Sequence, residues 1–142
     1  MEQFLEDALT YWESKRAGRR MPARRDLNPV LEIPNLLRWI ILVDVLRDPL
    51  DFRYRVIGSG VVDRSRQNYT GKLFSELSHI GPDSLLWKQR ANVVETAAPL
   101  RCEPPYTGLT PGIRGVVVIH LPLSDDGETV NMIFTMTTFL GR

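Results

Sequence analysis

The chain has 142 residues, of which 43% are hydrophobic, and this size suits one compact domain spanning residues 1–142. Eighteen Lys and Arg residues stand against 17 Asp and Glu residues, so no strong overall charge directs the protein toward a polyanion or a membrane surface. A single cysteine, Cys102, excludes an internal disulfide framework and favours a cytoplasmic location, and no segment approaches the roughly 20 apolar residues that span a bilayer.

Residues 1–17 are predicted to form an amphipathic helix. Apolar side chains recur there at spacings of three and four, which is the period of one helix face. Gly18 follows this pattern and is predicted to end the helix. The apolar face comprises Phe4, Leu5, Ala8, Leu9 and Trp12. We expect it to cover apolar surface elsewhere in the protein or in a second copy.

Residues 18–37 are predicted to be a basic connector with one short helix, which Asn28 would cap and Pro29 would open. The run before Asp26 contains six basic residues: Lys15, Arg16, Arg19, Arg20, Arg24 and Arg25. Without them, 12 basic and 17 acidic residues remain, a net charge of −5. The rest of the chain can therefore offer carboxylates to these side chains.

Three interpretations of the basic run stay open: a nucleic-acid arm, a brace for the connector, and a docking surface. The run lacks aromatic side chains that could stack on bases, so a nucleic-acid partner is disfavoured. We expect Arg24 to brace the connector by pairing with a carboxylate. The docking patch for a protein partner would consist of Arg19, Arg20 and Arg25.

Residues 38–142 carry the patterns of a sheet interrupted by a helical crossover. The predicted order is a strand over 38–46, an alternating strand over 52–58, an irregular segment over 59–77, a helix between Pro82 and Pro99, a short edge strand near Cys102, and two long strands over 112–123 and 128–140 joined by an acidic turn. The fold class is therefore α+β, with a five-stranded antiparallel sheet. Three of the strands are apolar on both sides, so the crossover is expected on one face and the N-terminal helix on the other.

The sequence resembles the PAS sensory domains, and more narrowly a bacterial family of short, nearly stand-alone PAS proteins. The resemblance lies in the order of short motifs between residues 11 and 71. These are Tyr11-Trp12, Gly18-Arg19, Met21-Pro22-Ala23-Arg24, Asp26, Pro29, Leu42-Val43-Asp44-Val45, Phe52-Arg53-Tyr54-Arg55-Val56-Ile57-Gly58 and Thr70-Gly71. Residues 72–142 match in the order of their elements only.

This resemblance implies a regulatory or ligand-sensing domain without catalysis, which signals through a protein partner. Dimerisation through the helix before the sheet is also implied, and here it would use Phe4, Leu5, Leu9 and Trp12. Haem is not expected, because the long helix has no histidine between Trp87 and Thr96. Flavin is not expected either, because the segment that would carry the reactive cysteine contains none.

The reactive side chains themselves suggest no enzyme. Cys102 could act as a nucleophile with His79 or His120 as its base, but no catalytic motif surrounds it, and a small buried thiol is the simpler interpretation. Asp125 and Asp126 are typical of a polar hairpin tip, so no metal site is predicted. The glycines at 58 and 60 lack the lysine and the helix of a phosphate-binding loop.

A small-molecule cavity is the remaining chemical candidate, and an ordinary filled core is its alternative. His120 alternates with Val116 and Val118, which places it on one face of its strand. The last strand carries methionines that suit an adaptable apolar wall. The candidate wall residues are Tyr54, Val56, Leu86, His120, Met132, Phe134 and Met136.

Overall fold

A computed structural model describes residues 2–141. It contains four α-helices, α1 (Glu2–Lys15), α2 (Pro29–Glu32), α3 (Ser59–Arg64) and α4 (Leu85–Thr96), and five strands, β1 (Ile40–Leu46), β2 (Asp51–Ile57), β3 (Leu100–Cys102), β4 (Ile113–Leu123) and β5 (Met132–Gly141). Short 3₁₀ turns lie at Arg24–Asp26, Pro34–Trp39, Phe74–Glu76 and Ser78–Ile80. None of the helices within residues 2–141 combines the length and the apolar character that a bilayer crossing requires.

The five strands form one antiparallel sheet in the order β2-β1-β5-β4-β3. The α+β class and the five-stranded sheet are thereby confirmed. The chain after β2 crosses over through α3 and α4 and returns as the edge strand β3, so the two halves of the sheet meet where β1 pairs with β5. The crossover helices cover one face of the sheet, here called the inner face.

Helix α1 covers the opposite, outer face, where it packs on β4 and β5. Leu5, Ala8 and Trp12 are buried there. The indole Nε1 of Trp12 donates a hydrogen bond to the carbonyl of Pro122 in β4 at 2.8 Å. This bond fixes the rotation of α1 about its axis, because only one face of the helix can present Trp12 to the strand.

An aromatic cluster fills the inner face beneath the start of α4. Phe52 and Tyr54 project from β2, and Phe74 lies between them, with ring centroids 5.3 and 4.7 Å away. Trp87 of α4 meets Phe52 edge-on at 5.1 Å. Ring contacts of this kind add to the burial of large apolar surfaces, so this end of the inner face is tightly packed.

The connector between α1 and the sheet is held by a polar cluster around Glu32. The hydroxyl of Tyr11 donates to Glu32 at 2.6 Å, Lys15 forms an ion pair with the same carboxylate, and the backbone N–H of Asn28 lies within hydrogen-bond distance of both Tyr11 and Glu32. Hydrogen bonds from Lys15 and Tyr11 lower the pKa of Glu32 to about 2. The cluster therefore joins α1 to α2.

Two glycines let α3 begin directly against the 3₁₀ turn that precedes β1. A Cβ atom on Gly58 would lie 2.4 Å from the carbonyl oxygen of Arg38, and one on Gly60 would lie 2.6 Å from the ring of Trp39. Only a residue without a side chain fits at either position. These glycines thus serve close packing.

Two strands are shorter than the sequence predicts. The first begins at Ile40 instead of residue 38, because Pro34–Trp39 forms a 3₁₀ turn. The last begins at Met132 instead of residue 128, because the carboxylate of Asp126 accepts hydrogen bonds from the backbone N–H groups of Glu128 and Thr129 and extends the turn. These N–H groups lower the pKa of Asp126 to about 2.

Replacing Trp12 with alanine should destabilise the domain by about 3–5 kcal/mol, because it removes a large side chain that is 3% exposed and its hydrogen bond to Pro122. Urea denaturation measures this loss. The control is Glu6→Ala on the exposed side of α1, which should change stability by less than about 0.5 kcal/mol. A loss below about 1 kcal/mol for Trp12→Ala would show that α1 does not seal the sheet.

The Glu32 cluster makes a second, pH-dependent prediction. The pKa of Glu32 is lower in the folded chain than its ordinary value of 4.5, so its contribution to stability is present above that value and is lost as the pH falls through about 2. An NMR titration of the Glu32 carboxyl carbon should therefore give a midpoint near 2. Lys15→Met should move the midpoint upward, and Arg16→Met, which removes a nearby charge that does not contact Glu32, should move it little. A midpoint near 4.5 in the unaltered protein would contradict the cluster.

Candidate functional site

A cavity of about 90 Å³ lies between the inner face of the sheet and the helices α3 and α4. Its floor is made by β1, β4 and β5, and its roof by α4 and the segment that follows β3. The apolar part of the wall consists of Ile41, Val61, Leu86, Val116, Val118 and Phe139. Five of the polar residues, here called the polar wall, lie on the strands and on α4: Tyr54, Arg90, His120, Thr135 and Thr137. Apolar and hydrogen-bonding side chains therefore share the same strands of the wall.

Arg90 is the unusual member of the polar wall, because it is a cation in the interior. Its residue is 2% exposed. Its Nη1 donates to the carbonyl of Leu86 at 3.1 Å, its guanidinium carbon lies 5.1 Å from the ring centre of Phe74, and its Nε has no hydrogen-bond partner. No carboxylate within residues 2–141 pairs with it.

His120 and two threonines complete the polar wall from the floor of the cavity. Thr135 lies opposite His120 in the β4–β5 ladder, and its hydroxyl is 2.7 Å from His120 Nδ1. The other ring nitrogen, Nε2, has no partner within the described chain, and the hydroxyl of Thr137 has none either. Both residues are at most 3% exposed. Unsatisfied buried polar atoms are rare in native proteins, and three of them border this one cavity.

Burial controls the ionisation of these groups. It depresses the pKa of His120 well below 6.5, and the nearby charge of Arg90 adds to this effect, so the imidazole is neutral at pH 7. Burial also lowers the pKa of Arg90 and raises that of Tyr54. A guanidinium does not lose its proton in proteins, so the polar wall carries one positive charge.

Two further arginines, Arg64 and Arg66, line the cavity. Arg66 donates from Nε to the carbonyl of Thr107 at 2.8 Å, and the hydroxyl of Tyr106 donates to the carbonyl of Arg64. A second pocket of about 60 Å³ adjoins the cavity and shares Tyr54 and other wall residues with it. Arg64 and Arg66 therefore add positive charge to the lining of the cavity.

A separate pocket of about 190 Å³ joins the cavity region to α1. It is lined by Phe4, Trp39, Arg64, Thr137, Thr138 and Phe139. Three of these residues, Arg64, Thr137 and Phe139, also line the cavity. The first turn of α1 and the cavity thus contact the same side chains.

The structure brings together three of the seven residues predicted to line a cavity. Tyr54, Leu86 and His120 line it. The prediction is wrong for Val56, Met132, Phe134 and Met136, which are absent from its wall. Met132, Phe134 and Met136 alternate along β5 with the cavity residues Thr135 and Thr137, so they point to the outer face, as does Val56, which pairs with Leu42 next to Phe134.

Sequence reasoning missed Arg90, Thr135 and Thr137. Arg90 had a signal, since it lies four residues after Leu86 and three before Val93, on the apolar stripe of α4, where an arginine is out of place. Thr135 and Thr137 had no such signal in the sequence. They could be found only from the register that sets Thr135 against His120.

The predicted dimer helix lies on the chain's own sheet, as the fold prediction expects, and this limits what it can offer to a second copy. Leu5 and Trp12 are each 3% exposed, because they pack on the chain's own sheet, and they are unavailable to a second copy while α1 holds this position. Phe4 and Leu9 are only partly buried. The dimer therefore stays a prediction, with these two residues as its remaining contacts.

The basic run is mostly paired with carboxylates of the same chain. The pairs are Lys15–Glu32, Arg16–Glu13, Arg19–Asp26, Arg20–Glu128 and Arg25–Asp125. Arg19 also donates to the carbonyls of Lys15 and Arg16, so it braces the connector and is not a free docking residue. Arg24, the predicted brace, donates to the carbonyl of Leu27 instead of a carboxylate. Arg20 and Arg25 are exposed, at 3.9 and 3.6 Å from the carboxylates of the acidic turn.

Cys102 lies in the edge strand β3 and is partly buried. Burial raises the pKa of its thiol, although Arg90 and Arg101 act in the opposite direction. A thiol with a raised pKa is protonated at neutral pH, and the thiolate is the nucleophilic form. The environment of Cys102 therefore does not activate it.

Comparisons with known proteins agree with this architecture. The sequence profile of the PAS domain family matches residues 2–135. The fold is similar to that of a sensory box sensor histidine kinase from Vibrio cholerae, with a TM-score of 0.53 and 16% identity over 80% of this chain and 92% of that chain. A fungal LOV domain photoreceptor is also similar, with a TM-score of 0.47 and 18% identity over 80% of this chain and 83% of that chain. No curated protein sequence matches the chain significantly.

The profile match extends from the first turn of α1 into β5 and includes the cavity wall up to Thr135, with Thr137 and Phe139 lying beyond it. It also includes α1 and the connector, which lie outside the sheet and its crossover. The chain belongs to the PAS domain family.

Proposed function

We propose that this PAS domain is a non-enzymatic regulatory module of bacterial signal transduction that acts in the cytoplasm and binds a small ligand in the cavity beneath α4. A sensory role fits its family. The observation that supports ligand binding is the cavity of about 90 Å³ with unsatisfied polar atoms on Arg90, His120 and Thr137. A filled core would leave neither the space nor the unpaired groups.

The output would pass through α1. A ligand that contacts Thr137 from the cavity touches a residue that also borders the pocket at Phe4, together with Arg64 and Phe139. On the outer face, α1 rests on the same two strands that carry His120 and Thr135. Binding would therefore favour one packing of α1 over another, which is a population shift. A second copy or a signalling protein could detect that difference at Phe4 and Leu9.

A second candidate is an adaptor whose input is another protein and whose cavity has no ligand. It is supported by the exposure of two large apolar side chains on α2, Val30 at 63% and Leu31 at 77%. Neighbouring exposed apolar residues are typical of protein contacts. A nucleic-acid-associated role is less well supported, because most of the basic run is paired with the chain's own carboxylates.

Native mass spectrometry of freshly purified protein tests the ligand proposal. We expect an added mass that disappears under denaturing conditions, and Val118→Phe should abolish it, because a phenyl ring at this buried wall position would occupy the cavity. The matched control is Val56→Phe, the same chemical change at an exposed site on the outer face. The subunit count in the same spectra tests the homodimer.

Hydrogen exchange in α1 then tests the output. Removing the ligand by gel filtration should speed exchange in the first turn around Phe4 and leave β1 unchanged. An added mass that survives Val118→Phe would place the ligand elsewhere. Two results together would favour the adaptor: the unaltered protein carries no added mass, and its capture of a partner protein depends on Val30 and Leu31.

A further inference from the structure

Arg90 determines what kind of ligand the cavity can take. A guanidinium has five N–H donors, and among residues 2–141 only the Leu86 carbonyl accepts a hydrogen bond from it. An isolated buried cation costs several kcal/mol in lost solvation, which a counter-charge or a full set of hydrogen bonds can offset. The π face of the Phe74 ring offsets part of this loss of solvation. No carboxylate of the described chain offsets the remaining cost.

The remaining polar wall also suits an anion. When Thr135 donates to His120 Nδ1, the imidazole proton resides on Nε2, which then is a free donor. The hydroxyl of Thr137 can donate as well. Among residues 2–141, no carboxylate lines the cavity to repel a negative charge, and Arg64 and Arg66 are also part of its lining.

The size and the apolar wall restrict the anion further. A single water needs roughly 10–15 Å³ of such space, so about 90 Å³ corresponds to about six to nine water-sized positions, which is enough for a molecule of about four to six non-hydrogen atoms. Ile41, Val116 and Val118 add apolar surface beside these polar groups and would contact an alkyl tail. A planar carboxylate matches the guanidinium fork, which presents two parallel donors.

We propose that the cavity binds a short aliphatic carboxylate of about two to four carbons, whose carboxylate pairs with Arg90 and is hydrogen-bonded by His120 and Thr137. This proposal rests on the ligand-binding function proposed above and specifies its chemical class. A purely structural Arg90, satisfied by Leu86 and Phe74 alone, is the competing explanation. It leaves the unpaired atoms of His120 and Thr137 without a role.

Isothermal titration calorimetry on the full chain in a carboxylate-free buffer tests the proposal directly. The probes are acetate, propionate and butyrate, with propionamide as the neutral match of propionate and with sodium chloride at the same ionic strength. We expect propionate to bind at least about tenfold more tightly than propionamide, since only the anion pairs with the guanidinium. Chloride at matched ionic strength should not reproduce the binding.

Three variants locate the binding. Arg90→Gln should weaken propionate binding by about tenfold or more, and Thr137→Val, which keeps the shape of the side chain, should weaken it severalfold. Arg55→Gln is the control, because Arg55 is an exposed arginine that pairs with Asp44 on the outer face, and it should leave affinity unchanged. Should Arg90→Gln fail to fold, backbone amide shifts of His120, Thr135 and Thr137 in the unaltered protein still report occupancy of the cavity.

The outcomes separate this inference from the function on which it rests. Equal binding of propionate and propionamide, with shifts at His120 and Thr137, would overturn the anion class and leave a ligand-binding cavity. Shifts confined to exposed arginines such as Arg20 and Arg25 would also overturn it. An added mass that is lost on denaturation and proves to be cationic or neutral would overturn the anion class and still support the sensory function. If Val118→Phe abolishes the added mass but no carboxylate binds, the carboxylate proposal is refuted and the ligand-binding function is kept.

Discussion

A five-stranded sheet with two buried faces governs the rest of this structure. β4 and β5 are buried along most of their length, so both faces must be covered by the remaining residues of a 142-residue chain. The crossover helices cover one face and α1 covers the other. α1 is reached only through the connector, which is why the connector carries so many specific polar contacts around Glu32, Asp26 and the acidic turn. A loose connector would leave apolar sheet exposed to water.

The two faces of the same strands are chemically different. The outer face of β5 presents Met132, Phe134 and Met136 to α1 as ordinary apolar core. The inner face presents Thr135 and Thr137, beside His120, to a space that the helices do not fill. Burying threonine and histidine without full hydrogen bonding is unfavourable for folding. Polar residues in such a place support the ligand-binding function proposed for the domain, and Arg90 on α4 belongs to the same wall.

The fold could be predicted from the sequence far better than the site. Alternation in Phe52–Ile57, the Asn28-Pro29 start of α2 and the prolines around α4 indicate elements through local chemistry alone. The sequence does not show which face of β5 points to the cavity. β5 is buried on both sides, so hydrophobicity does not distinguish its inner residues from its outer ones. Its register depends on the length of the turn over residues 124–131, which the local hydrogen bonds of Asp126 extend and which the sequence pattern had made too short. Once His120 is set opposite Thr135, the inward residues follow.

The interior position of Arg90 also bears on how long the protein persists in a cell. A molecule that binds only the folded chain stabilises it by an amount that rises with the logarithm of its concentration. The effect at a given concentration grows as the dissociation constant falls, and the proposed partner of the ligand, Arg90, lies on the helix that roofs the cavity. Proteases act mainly on transiently opened molecules. The abundance of this domain would then follow the supply of its ligand, so that the amount of protein, as well as its conformation, carries information.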